Sequence, residues 1–190
     1  MKNTLRLALA TAGLLGALSA QAAPQLFNGH YYDYINNTSG GFTQDEALAD
    51  AAGRSHLGLT GYVATVTSLG EQNFIFNSVT QATAWLGGND RSVEGSFTWV
   101  TGPETGSAFA FTFWSGGEPN NCCNGEDDVV INWGADGSWN DIGLPSFTDY
   151  RVGYIIEYSG TRVSVPEPGA LALVGIALAG LGAARRRQKA

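Results

Sequence analysis

The alternation of apolar and polar positions changes character along the chain, and the changes mark its elements. Gly29-His30-Tyr31-Tyr32-Asp33-Tyr34-Ile35 is aromatic and β-branched and predicts a strand. Phe42 to Ala52 predicts a helix, with Thr43 as N-cap, Glu46 three residues on as in a capping box, and Gly53 as its stop. Tyr62-Val63-Ala64-Thr65-Val66 predicts a short strand, and a second helix follows from Leu69 to Val79, capped by Ser68 with Phe74 and Ile75 facing inward. From Ala84 onward the pattern is strand-like only, at Trp85-Leu86-Gly87, Ser96-Phe97-Thr98-Trp99, Val129-Val130-Ile131 and Tyr154-Ile155-Ile156-Glu157-Tyr158. Two early helices followed by strands predict an α+β domain. Between Thr101 and Asp128 lies a long segment rich in Gly, Pro, Asn and acidic residues, without periodicity. A loop of that length inside a compact domain is usually functional.

The two ends follow different rules. Lys2 and Arg6 precede an apolar run from Leu7 to Leu18, and Ala20, Ala22 and Ala23 close it. Charged start, short apolar stretch and small-residue exit predict a secretory signal peptide over residues 1–23. At the other end, Pro166-Glu167-Pro168 precedes the apolar run Gly169 to Ala184, which ends in Arg185-Arg186-Arg187. Sixteen residues make ~24 Å of helix, a marginal span of the bilayer core, with the arginines held on the cytoplasmic side. Motif, apolar run and basic cluster in that order resemble the PEP-CTERM sorting signal of Gram-negative bacteria. The resemblance implies transient membrane anchoring through a transmembrane helix, cleavage near Pro-Glu-Pro by an exosortase, and delivery to the cell surface or beyond. It also implies an association with exopolysaccharide and biofilm. An uncut inner-membrane anchor is the alternative. The expected organisation is 1–23 signal peptide, 24–160 domain and 161–190 sorting tail.

Charge sharpens the picture of the middle. The 190 residues carry a formal charge of −7, but the ends hold most of the cations. Between residues 24 and 165 there are only Arg54, Arg91, Arg151 and Arg162 and no lysine, against 16 of the 17 acidic residues, so the middle stands near −12. This excludes general affinity for nucleic acid. So acidic a domain repels itself unless something cationic binds it, and a metal ion is the natural candidate.

The candidate chemistry is oxygen-rich. Glu118-Pro119-Asn120 is followed by Glu126-Asp127-Asp128 and then by Trp139-Asn140-Asp141. Carboxylates and amides without nearby His or thiolate suit a hard cation with several oxygen ligands, which is calcium. A cis bond before Pro119 would let the Glu118 and Asn120 carbonyls face one side, and Trp139 would anchor the strand that carries Asn140 and Asp141. Cys122 and Cys123 are adjacent in this loop and could form a vicinal disulfide, cross-link two molecules, or remain incidental thiols. His30 and His56 lie too far off to join them in a zinc site. A glycosidase acid/base pair at Glu118 and Glu126 would need one carboxylate in an apolar setting. Their company of Asn121, Asn124, Asp127 and Asp128 favours a shared cation instead.

The order Trp85-Leu86-Gly87-Gly88-Asn89-Asp90, Glu94-Gly95, Trp114, Glu118-Pro119-Asn120, Glu126-Asp127 and Trp139-Asn140-Asp141, with two helices ahead of it, resembles a C-type lectin domain over about residues 29–158. The resemblance implies one calcium ligated by Glu118, Asn120, Glu126, Asn140 and Asp141. Two neighbouring sugar hydroxyls share that ion and hydrogen-bond Glu118, Asn120, Glu126 and Asn140. Glu-Pro-Asn further implies mannose-, glucose- or fucose-type selectivity. A second calcium site is implied in part by Asp90, Glu94 and Asp127, weakened by Asn121 where the family usually has Asp. The family's two disulfides are missing, with Asp128 standing at one of their places. Among the tryptophans, Trp85, Trp99 and Trp139 are expected in the core, while Trp114 and Trp133 are left open as sugar platforms. The function expected is calcium-dependent carbohydrate binding outside the cell, without catalysis. The alternative is an adhesion or matrix protein that binds protein partners through the same fold, with calcium structural or absent.

Overall fold

The computed structural model describes residues 23–134, 136–145 and 149–160. The chain enters through a hairpin of β1 (Gln25–Phe27) and β2 (His30–Ile35), paired with Phe27 opposite His30. Its two-residue turn is Asn28-Gly29, both at positive φ (48° and 88°), as a right-twisted hairpin requires. That dipeptide is the sequence signal for β1, which the hydrophobic pattern misses. A second such turn, Leu57-Gly58 (φ 50° and 79°), joins β3 (Ser55–His56) to β4 (Leu59–Val63). The strand expected at 62–66 therefore starts earlier and ends at Val63.

Helix α1 (Gln44–Ala52) forms as its pattern predicts. The Thr43 side chain accepts from the Glu46 N–H, the Glu46 carboxylate accepts from the Thr43 N–H, and Gly53 caps the end. Helix α2 (Leu69–Phe74) is capped by Ser68 as expected, but the last part of the anticipated helix opens into a wider π-helical turn, Ile75–Val79. Ile75 is fully buried there, and Phe74 packs half-buried against the core.

The late strands are β5 (Ala84–Asn89), β6 (Thr98–Trp99), β7 (Glu126–Ile131), β8 (Asn140–Pro145) and β9 (Gly153–Tyr158). Strand β9 is the hub: it pairs antiparallel with β2 and β4 and parallel with β5. Strand β5 continues antiparallel to β6 and β7, and β7 to β8. Each strand face has its own core, because side chains alternate. Leu86, Val129, Ile131 and Ile155 join Ile75, Trp99 and Trp139 on one face, while Val63, Trp85, Val130 and Ile156 meet Ala47 and Ala51 of α1 on the other. Helix α1 lies close enough to β4 that a Cβ at Gly61 would sit 3.0 Å from the Ala51 carbonyl and 2.6 Å from Ile156.

Buried polar groups fix how the elements meet. The Trp85 indole N–H donates to the Phe42 carbonyl (2.7 Å), and the Gln44 amide donates to the Leu86 and Gly88 carbonyls (3.1 and 2.9 Å). Glu157, 2% exposed on β9, accepts from the Tyr62 hydroxyl (2.5 Å) and the Thr65 N–H, and its Oε1 is 2.6 Å from His30 Nδ1. Burial pushes its carboxyl up to about 7, with the Tyr62 hydrogen bond pulling it back and the Glu71 charge adding to the rise.

Arg91 and Asp128 form an ion pair within the fold. Asp128, 2% exposed, accepts two parallel hydrogen bonds from Arg91 Nε and Nη2, both 2.7 Å, and Arg91 Nη1 reaches Asp45 on α1 at 2.7 Å. The pair thus ties the β5–β6 connection to β7 and to α1. Removing one partner leaves the other charge buried and unpaired, which costs about 3–5 kcal/mol. Arg91→Met should therefore lower the urea-unfolding free energy by about 3 kcal/mol, and Arg91→Met with Asp128→Leu should recover most of it. If the double variant is no more stable than the single one, the pair is not what holds these elements.

Candidate functional site

The site is built where three segments converge on the ends of β7 and β8. Trp139 immediately precedes β8 and is completely buried. Its indole N–H donates to the Gln72 side chain of α2 (2.7 Å), and the Gln72 amide donates to the Gly137 carbonyl (2.8 Å). Its backbone holds the long loop, since the Trp139 N–H donates to the Phe113 carbonyl and the Ser115 N–H to the Trp139 carbonyl, both at 2.8 Å. The segment from 113 to 121 is thereby laid beside Asn140 and Asp141.

From there the loop closes on itself. The Glu118–Pro119 peptide is cis. The Asn120 and Asn121 N–H groups donate to the two Asp141 carboxylate oxygens (3.1 and 2.8 Å). The Glu126 N–H donates to the Asn121 amide oxygen (2.8 Å), and the Cys122 N–H to Glu126 Oε2 (3.1 Å). Cys122 and Cys123 are joined to each other by a disulfide, within a 3₁₀ turn spanning Cys122–Asn124. Glu126, Asn140 and Asp141 are all buried. The five residues Glu118, Asn120, Glu126, Asn140 and Asp141 are thus drawn into one neighbourhood.

Two oxygens of this group stand without a partner. Glu118 Oε2 and Asn140 Oδ1 are buried and make no hydrogen bond, a costly condition for polar atoms. Burial raises the Glu118 carboxyl, and the Asp141 charge adds to it. Burial also raises Glu126, with the Cys122 N–H opposing and the charges of Asp141 and Glu118 adding. Among the described residues, no three His, Cys, Asp or Glu side chains converge closely enough to hold a metal by themselves. Any ion here would draw on the asparagine oxygens as well.

A second acidic group lies beside the first. Asp90 is 2% exposed, its Oδ2 accepts from the Gly95 N–H (2.7 Å), and its Oδ1 is buried without a partner. Its N–H donates to the Asp127 carbonyl (3.2 Å). Burial pushes its carboxyl up to about 6, against the Gly95 hydrogen bond and helped by the Glu94 and Asp127 charges. Asp127 is raised by burial and then by Glu94. Asn121 gives its amide oxygen to the loop instead. Asp128 is paired with Arg91; burial raises its carboxyl and the Asp45 and Asp127 charges add to the rise, while the Arg91 hydrogen bonds and charge oppose it.

The sequence pattern does not reveal a third acidic cluster. Glu71, Glu104 and Glu157 line a cavity of about 110 Å³ with His30 and Tyr32. Glu71 accepts from the Tyr32 hydroxyl (2.8 Å) and the Thr67 N–H (2.8 Å), and Glu104 from the Thr65 hydroxyl (2.7 Å). These acids are far apart in the chain, and only a buried glutamate inside an apolar strand, Glu157 in Tyr-Ile-Ile-Glu-Tyr, hints at them. Of the tryptophans left open, Trp133 is 43% exposed, whereas Trp114 is half-buried against Phe97 and Trp139.

Comparison with known proteins follows the same outline. The chain matches the family model described as the lectin C-type domain over residues 51–143 and that of the PEP-CTERM protein-sorting motif over 164–187. It is 33% identical over 106 residues to echinoidin of Heliocidaris crassispina, covering 52% of this chain and 69% of that protein. It is 38% identical over 143 residues to halomucin of Haloquadratum walsbyi, covering 70% of this chain but only 2% of that protein. Among solved structures it is similar to the C-type lectin CEL-I from Cucumaria echinata, at 24% identity and a TM-score of 0.58, covering 75% of this chain and 99% of that one. The signal peptide, the Pro166-Glu167-Pro168 motif and the apolar run after it lie outside the described residues. Among the described residues no helix is long and apolar enough to cross a membrane.

The raised carboxyls fix a pH dependence. In the metal-free protein Asp90 and its raised neighbours hold their protons more tightly than in the unfolded chain. The stabilising share of Asp90 is full below the ordinary carboxylate range, about pH 4, and is lost as pH rises through about 6. In chelator, wild type should lose thermal stability relative to Asp90→Asn between roughly pH 4.5 and 7. Equal pH dependence of the two proteins in thermal melts would contradict this.

Proposed function

The chain belongs to the C-type lectin domain family, and from that premise we propose that it is an exported, calcium-dependent carbohydrate-binding protein. The single observation that carries the reading is the pair of unpartnered buried oxygens, Glu118 Oε2 and Asn140 Oδ1, in one neighbourhood with Asn120, Glu126 and Asp141. Three carboxylates and two amide oxygens are the donor set of a hard cation with flexible geometry. Glu118, Asn120, Glu126, Asn140 and Asp141 would hold calcium, with Asp90, Glu94 and Asp127 as a second, weaker group. When bound, the ion supplies a Lewis-acidic point that accepts two neighbouring sugar hydroxyls.

The chain's own groups do the rest. A carboxylate of Glu118 or Glu126 accepts a hydroxyl proton, and an amide NH₂ of Asn120 or Asn140 donates to the same oxygen, so each hydroxyl is read as donor and acceptor at once. The Asp141 carboxylate fixes the Asn120 and Asn121 backbone, and so the direction of both side chains. Glu-Pro-Asn supports mannose-type selectivity. No step breaks a covalent bond, which is why the reading is binding and not catalysis. The PEP-CTERM match over 164–187 supports export and sorting to the cell envelope, with exosortase processing and a role in surface exopolysaccharide or biofilm as the finer reading.

A shallow contact with one diol gives monovalent affinity of roughly millimolar order, so useful retention needs several copies on a surface. Two expectations follow for the full-length chain at neutral pH. Calcium should raise the melting temperature, and Asn140→Ala should weaken calcium binding at least roughly tenfold by calorimetry. Methyl mannoside should give saturable heat with calcium and none in chelator. Calcium binding without sugar would leave the ion a clamp for a protein-binding loop, and no calcium binding would remove the reading altogether.

A further inference from the structure

The cysteine pair lies inside the proposed cation site without supplying a ligand to it. Cys122 and Cys123 are joined to each other between Asn121 and Glu126, in the 3₁₀ turn Cys122–Asn124. The chain on either side of the pair is tied to the donor set. The Cys122 N–H donates to Glu126 Oε2 (3.1 Å), the Glu126 N–H donates to the Asn121 amide oxygen (2.8 Å), and the Asn121 N–H donates to Asp141 (2.8 Å). The Gly125 N–H closes the turn on the Cys122 carbonyl (3.0 Å). Asn121, Cys123 and Asn124 stand at positive φ (46°, 61° and 93°). Asparagine visits that region readily, whereas cysteine keeps it only where its surroundings impose it. Here the constraint is covalent, a small ring closed through the peptide bond that joins the two residues. Cys123 is exposed and Cys122 half-buried, so a reductant reaches the pair from the Cys123 side.

We propose, on the reading of Glu118, Asn120, Glu126, Asn140 and Asp141 as a calcium site, that Cys122–Cys123 is a redox modification site whose substrate is a dithiol, and that its reduction loosens the calcium site. One thiolate of the dithiol attacks Cys123 Sγ, the bond between the two Sγ atoms breaks, and Cys122 leaves as a thiolate and takes up a proton. The second thiol of the reductant attacks the mixed disulfide, releases Cys123 as a thiol and leaves the reductant as its own disulfide. Two electrons and two protons pass to the cysteine pair. A monothiol serves poorly, because the neighbouring Cys122 thiol expels it from the mixed disulfide and restores the ring; only a second thiol on the reductant competes with that return. With the ring open, Cys123 leaves the left-handed region and the Cys122 N–H loses its fixed direction toward Glu126. Hydrogen bonds of this kind orient a metal ligand, and losing them costs roughly 10–100-fold in metal affinity.

The test uses the full-length chain, oxidised and after dithiothreitol. Dithiothreitol should expose both thiols of the native chain to a thiol-specific dye, and glutathione at equal thiol concentration should expose far less. Reduction should weaken calcium binding at least roughly tenfold by calorimetry, and reoxidation should restore it. In chelator, reduction should speed hydrogen exchange at the Cys122 and Glu126 amides and leave the Trp139 amide, bonded to the Phe113 carbonyl, protected. Cys122→Ser with Cys123→Ser should bind calcium as the reduced wild type does and ignore dithiothreitol. A native pair that dithiothreitol leaves intact, or that glutathione reduces as completely, overturns the dithiol as substrate. Unchanged calcium affinity or unchanged exchange after full reduction overturns the coupling, as does a dithiothreitol effect that persists in the double serine variant. Loss of Trp139 protection on reduction makes the disulfide a staple of the whole domain and also overturns it. No calcium binding by the oxidised chain overturns the calcium reading, and the coupling with it.

Discussion

Trp139 joins the part of the molecule that is stable by packing to the part that carries chemistry. Its side chain is buried between the sheet and α2, with its indole N–H held by Gln72, while its backbone holds the long loop through Phe113 and Ser115. A loop rich in Gly, Pro and Asn has no regular hydrogen-bond ladder of its own, so its shape must be imposed by something rigid. Because Asn140 and Asp141 follow Trp139 directly, the anchor that positions the loop also positions two of the residues the loop must meet. The same ring supports Phe109 and Trp114, so the groove they line beside Pro119 inherits its rigidity from the same core residue.

Electrostatics works against this arrangement. Glu118, Glu126 and Asp141 form one group and Asp90 and Asp127 another beside it, and burial raises Glu118, Glu126, Asp127 and Asp90. Packing carries the cost of holding them together, while the backbone donors of Asn120, Asn121, Cys122 and Gly95 offset part of it. Asp128 shows the contrasting solution. One residue after Asp127 in the same strand, it is neutralised internally by Arg91, and it serves the fold and not the site. Neighbouring acids of one short run thus divide into a structural charge with a partner and charges that a cation can satisfy.

Much of the fold was legible along the chain because its signals are local. The capping box at Thr43 and Glu46, the stop at Gly53, the cap at Ser68 and the apolar strand segments at 85–87, 129–131 and 154–158 are fixed by residues a few positions apart. Where the reading slipped, a local signal was weaker than a tertiary one. The second helix widens at Ile75, where the core buries that side chain completely, and the strand at Leu59–Val63 is displaced by the hairpin turn Leu57-Gly58. The clustering of Glu118-Pro119-Asn120, Glu126 and Asn140-Asp141 could be suspected from sequence because residue types and order were distinctive. No periodicity could show that Glu71, Glu104 and Glu157 would share a cavity.

By itself the sequence determined the α+β class, the two helices and their caps, the acidic middle of the chain, and the residue types a hard cation would need. Tertiary structure alone decided which acid is neutralised by Arg91, which oxygens of Glu118, Asn140 and Asp90 are left without partners, and that three half-buried aromatic rings line a groove beside Pro119. The physical reason is range. Caps and strand patterns act between neighbours in the chain, whereas burial, desolvation and charge pairing depend on the distances that folding sets between residues tens of positions apart.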